Sequence, residues 1–99
     1  MTLGWFKDKP ALRQFCRKPG VSGVRHGDKI VLMDVGTERF YSLDVVGARV
    51  WELLGEHSEP GPIADVLVAE FAVPAAEIRR DVDEFLDQLT RDDLVRAPR

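Results

Sequence analysis

The chain has 99 residues, 44% of them hydrophobic, and a formal net charge of -3, the make-up of one globular domain rather than a disordered or fibrous chain. A domain of this size buries roughly 60–70% of its unfolded surface, enough for a single modest core. The lone cysteine, Cys16, excludes an internal disulfide, and neither a membrane span nor an apolar signal core stands out, so a cytoplasmic protein is expected.

The charge is graded along the chain. Residues 1–29 hold Lys7, Lys9, Arg13, Arg17, Lys18, Arg25 and Lys29 against Asp8 and Asp28, a balance of +5. Residues 30–73 balance to -6 and residues 74–99 to -2. The body of the domain is therefore acidic, which favours basic peptides or proteins over nucleic acid as partners.

Residues 1–20 place Trp5, Phe6, Leu12 and Phe15 among cations, with Pro10 and Pro19-Gly20 as breakers. They predict a basic, aromatic arm ahead of the main domain, either extended or with a short helix over Ala11 to Arg17, and partly ordered by packing its aromatics onto the body. Val21 to Arg25 is the first predicted strand, His26-Gly27-Asp28 a tight turn, and Lys29 to Val35 the second strand. Gly36-Thr37-Glu38 is the next turn and Arg39 to Leu43 the third strand, short, aromatic and β-prone. Asp44 is a good N-cap, and Val46, Val50, Leu53 and Leu54 recur at helical spacing up to Gly55, a residue suited to a left-handed C-cap. A second helix starts at Pro62 and carries Ile63, Val66, Leu67 and Phe71 on one stripe. A third follows Pro74, with Ile78, Val82, Phe85, Leu86 and Leu89 as its stripe, and Leu94-Val95 is expected to pack back onto the body. The sum is an α+β, winged-helix-like domain over residues 21–95, a three-stranded antiparallel sheet followed by three helices, with a tail at 96–99.

Catalytic machinery is not evident. His26 and His57 fall in polar turns, Cys16 has no histidine partner in sequence, and no Cys/His pair has metal-ligand spacing. The glycines do not form a phosphate loop. The acids of the third helix, at spacings such as Asp83 to Asp87, form a solvated face opposite the apolar stripe, or a surface that recognises a cationic peptide. Residues 74–93 carry three Arg against seven acids, the wrong sign for a helix that must sit beside phosphates, so a winged-helix DNA-binding regulator is the weaker alternative. No enzyme activity and no cofactor or metal is expected. The third strand runs straight into a helix, and so short a chain leaves little to cover its far edge. An open edge of that kind is a hazard or a docking site for another peptide.

The run Val31-Leu-Met-Asp-Val-Gly-Thr-Glu-Arg-Phe-Tyr-Ser-Leu-Asp-Val-Val-Gly-Ala-Arg-Val-Trp-Glu-Leu-Leu54 resembles the PqqD-like family, also called the RiPP recognition element. Leu43-Asp44 stands where that family usually has Leu-Asn, and Asp92-Asp93-Leu94-Val95 lacks the glycine usual before the final apolar pair. Val35-Gly-Thr-Glu38 replaces the Pro-Glu-Gly-like turn of the quinone-cofactor (PQQ) branch, so the chain looks most like the stand-alone proteins of lasso-peptide clusters, with the PQQ branch as the alternative. The resemblance implies a domain that binds the leader of a ribosomally made precursor peptide and presents it to a separate processing protease or other modifying enzyme. It implies that the leader adds as a strand to the edge formed by Arg39, Phe40, Tyr41, Ser42 and Leu43, against a groove wall of Ile78, Asp81, Val82 and Phe85. Asp81 would meet a cationic leader side chain, and Ile78, Val82 and Phe85 either take apolar anchors or are plain core.

Overall fold

The computed structural model describes residues 14–97. The elements run β1 (Cys16–Arg17), β2 (Val21–His26), β3 (Lys29–Asp34), β4 (Arg39–Leu43), α1 (Val45–Leu53), α2 (Pro60–Phe71), α3 (Ala75–Arg91) and β5 (Val95–Arg96). Strands β2, β3 and β4 form an antiparallel sheet in that order, and β1 pairs with β5 in a second, two-stranded sheet. The fold is thus the expected α+β arrangement, with one small sheet added.

Turn chemistry sets the register. Gly27 has a φ of 66° and opens the two-residue turn that pairs His26 with Lys29, the place where a tightly twisted hairpin needs a positive φ. The four-residue turn after β3 is built differently. The Asp34 carboxylate accepts the N–H groups of Gly36 (3.0 Å) and Thr37 (3.4 Å), and Glu38, not the glycine, takes the left-handed conformation, at φ 61°.

Alternation splits the main sheet into two faces. Ile30, Leu32 and Leu43 point at the helices and are buried. Met33 and Phe40 are paired across the strands and, with Val24, lie on the outer face, where Phe40 is 68% exposed. The core is completed by Val50 and Trp51 of α1, Ile63 and Leu67 of α2, and Val82, Leu86 and Leu89 of α3.

Phe15, from the segment that precedes β2, joins this core, the packing onto the body expected of that segment's aromatics. Phe15 is 2% exposed, and its N–H donates to the Ser58 carbonyl at 2.7 Å. Of the stretch Ala11 to Arg17, expected as a short helix or an extended segment, the described part is extended, with Cys16–Arg17 a strand on β5. The rest of that stretch, and the anchors Trp5, Phe6 and Leu12, lie outside the described residues. Arg17 lies 5.0 Å from the centroid of Trp51, and its guanidinium donates to the carbonyls of Trp51 and Glu52. It thereby caps the C-terminus of α1 with a cation, where the helix dipole is negative. A side chain at Gly55 would meet that guanidinium at 3.2 Å, and α1 closes on a right-handed Leu54 instead of a left-handed glycine.

The end of α3 explains the missing glycine. The Leu94 N–H donates to the Leu89 carbonyl and the Asp93 N–H to Thr90, the paired bonds of a Schellman cap. Asp93 occupies its left-handed position at φ 59°. Its carboxylate lies 3.1 Å from Lys18 Nζ, which also reaches the 2%-exposed Asp34 at 3.0 Å. Lys18 therefore ties the entry segment, the β3–β4 turn and the end of α3 together. Its hydrogen bond holds the Asp34 carboxyl below the usual carboxylate range, and the same pairing raises Lys18.

Candidate functional site

Only one neighbour borders β4, so its far side is open among the described residues. Hydrogen-bond parity decides which groups the edge offers. The Val35 N–H donates to the Gly20 carbonyl across β2, so Val31 and Met33, of the same parity, also bond toward β2, while Ile30, Leu32 and Asp34 bond toward β4. Their partners in β4 are Leu43, Tyr41 and Arg39. The backbone N–H and C=O groups facing outward are therefore those of Phe40 and Ser42, and the Tyr41 N–H points into the sheet.

The strand leads directly into α1, whose N-cap Asp44 accepts the Gly47 N–H at 2.8 Å. Beside this first turn lies a cleft of about 400 Å³ lined by Asp44, Val46 and Gly47 from α1 and by Asp81, Glu84 and Phe85 from α3. Its size is within the range of ligand-binding clefts, and it is lined by both carboxylates and apolar groups. Gly47 permits the close approach of the two helices. A Cβ there would lie 2.9 Å from Phe85 Cζ.

The residues singled out from sequence separate into three groups. Arg39, Phe40 and Ser42 are exposed on β4, while Tyr41 is half-buried and Leu43 buried toward the helices. Asp81 is exposed and Phe85 half-buried, and both line the cleft. Ile78 and Val82 do not line it. They are 3% and 1% exposed, because they sit on the central apolar row of α3 with Leu86 and Leu89, whereas Asp81, Glu84 and Phe85 lie one helical row aside. Asp44, Val46, Gly47 and Glu84 escaped the sequence reading as site residues. Gly47 carried a usable signal, since a glycine inside a helix costs about 1 kcal/mol relative to alanine and so points to a packing reason.

Cys16 is an exposed free thiol, and no group of three or more His, Cys, Asp or Glu among the described residues is placed to hold a metal ion. No described helix is long and apolar enough to cross a membrane.

Comparison with known proteins gives the fold and sequence a place. A solved structure described as TbiB1 in complex with the TbiA(beta) leader peptide matches with a TM-score of 0.78 and 31% identity, covering 85% of this chain and 98% of that one. A lasso peptide synthetase B1 complexed with the leader peptide matches in fold, with a TM-score of 0.73 at 24% identity over 84% of this chain and 98% of that one. No curated protein matches. The family described as coenzyme PQQ synthesis protein D matches residues 29–95, and on that span, which includes β3, β4 and all three helices, the chain belongs to the PqqD family.

Proposed function

We propose that this protein is a non-catalytic peptide-binding domain that captures the leader of a ribosomally made precursor, of the lasso-peptide class, and presents it to a separate processing enzyme. The observation that carries this reading is the open β4 edge running into the α1–α3 cleft, in a fold similar to one described with a leader peptide bound. The leader adds as a strand on β4, held by the outward groups of Phe40 and Ser42. Its side chains on the helix side reach the cleft, where Asp81 and Glu84 take a cation and Val46 and Phe85 an apolar anchor. Those on the outer side lie next to Phe40. Peptide capture in quinone-cofactor synthesis is the second reading, favoured by the description of the family. It shares this site and differs in the precursor.

Fluorescence polarisation with a labelled leader from a neighbouring precursor gene tests the proposal. Wild type should bind saturably. Ser42→Pro deletes an outward N–H without touching the β3–β4 ladder, which an edge strand tolerates, and should weaken binding at least about tenfold, or 1.4 kcal/mol. Tyr41→Pro removes a ladder bond and should lower stability instead. A folded Ser42→Pro protein with unchanged affinity would rule out strand addition at β4.

A further inference from the structure

We propose that residues 1–13 dock in the α1–α3 cleft and compete there with an incoming peptide, an inference that rests on reading the cleft as the peptide site. The cleft pairs carboxylates of Asp44, Asp81 and Glu84 with the apolar Val46 and Phe85. Asp81 and Glu84 take part in none of the ion pairs among the described residues. The thirteen residues carry the complementary set, Lys7, Lys9 and Arg13 against a single acid, Asp8, with Trp5, Phe6 and Leu12 as apolar groups. Both halves of the match, cation to carboxylate and aromatic to apolar wall, are present in one chain.

Geometry permits the contact. Phe15 is pinned to Ser58 and Arg17 to the last carbonyls of α1, so the described residue nearest the segment's attachment lies beside the C-terminal end of α1. The cleft opens at the other end of that helix, and the nine residues of α1 span about 14 Å. The eight residues from Phe15 back to Lys7 reach up to about 26 Å when extended. Tethering supplies the affinity that a short basic segment lacks. A linker this short holds the segment at roughly millimolar effective concentration, so an intrinsic dissociation constant of that order keeps it docked about half the time. An incoming peptide then binds about twofold more weakly than to an empty cleft, and the effect fades as salt screens the carboxylates.

The test uses full-length protein in two arms. In the first, amide NMR shifts of Gly47, Glu84 and Phe85 are compared between wild type and the charge-reversed variant K7E/K9E/R13E, without added peptide. Shifts that differ at low salt and converge at high salt are expected, and identical spectra at low salt overturn the proposal. In the second, a synthetic peptide with the sequence of residues 1–13 is titrated into both proteins. It should bind the charge-reversed variant about twofold more tightly than wild type and lose that binding when D81N/E84Q is added. Equal affinity for both proteins, or binding indifferent to D81N/E84Q, overturns it. A chain that passes both arms yet binds no leader sinks the proposed function alone. One that binds leader but fails these arms sinks only the competitor.

Discussion

At the scale of single residues, Gly47 shapes the cleft by the side chain it lacks. Its missing side chain lets Phe85 lie against the first turn of α1. Gly47→Ala should gain about 1 kcal/mol of helix propensity while overpacking costs about 1–3 kcal/mol, so net stability changes little. The ring has to move, and its free side is the cleft. Leader affinity should therefore fall about tenfold or more while the urea midpoint shifts only slightly. Unchanged affinity together with a displaced Phe85 signal in NMR would mean that the leader does not use the cleft. Ala72 tells the opposite story about glycine. It closes α2 in the left-handed conformation at φ 53°, which costs an L-residue roughly 1–2 kcal/mol. Ala72→Gly should recover about 1 kcal/mol and raise the melting temperature by about 4–8 °C, and calorimetry would show whether it does.

At the scale of elements, the main strands and all three helices were legible in the sequence, because each carries its own period and stop signals. The rows Ile30–Leu32 and Ile78–Val82–Leu86–Leu89 announce a strand and a helix without help from elsewhere. The two-residue strands were not legible. Cys16–Arg17 has no pattern of its own and exists because Val95–Arg96 lies beside it, a pairing nearly 80 positions away in the chain. The edge strand was found but its polarity was not. Which of Phe40, Tyr41 and Ser42 points its amide outward follows from the register on β3, a tertiary fact. The same limit applies to the cleft, where Asp81 and Phe85 were visible as helix positions but their partners on α1 were not.

At the scale of the whole molecule, Lys18 fastens three distant parts of the chain through Asp34 and Asp93. The folded Asp34 carboxyl titrates below its ordinary range because Lys18 donates to it, so in the acid limb the unfolded chain binds more protons than the folded one. Stability from this group is complete above about pH 4 and is lost as pH falls through the folded pKa. Lys18, shifted up, acts in the reverse sense. Its contribution is complete below its ordinary range and lost as pH climbs through its raised pKa. Asp34→Asn should be less stable than wild type near neutrality, and the gap should close as pH drops from about 4 toward 2. Urea unfolding across that range checks it, and two parallel curves would remove Asp34 as the cause. Because Asp34 also caps the turn into β4, the same variant should loosen the edge strand.

The outward parity of β4 has a further consequence for how strongly a strand can hold there. Phe40 and Ser42 offer one N–H and one C=O each, four groups in all. At roughly 0.5–1.5 kcal/mol net per hydrogen bond, a fully paired strand gains on the order of 2–6 kcal/mol, whereas losing its freedom of motion costs about 4–15 kcal/mol. Backbone pairing alone therefore leaves no micromolar complex, which needs about 8 kcal/mol net. A peptide that stays must draw the difference from its side chains, so this short edge admits few sequences and rejects the many that could merely form a strand.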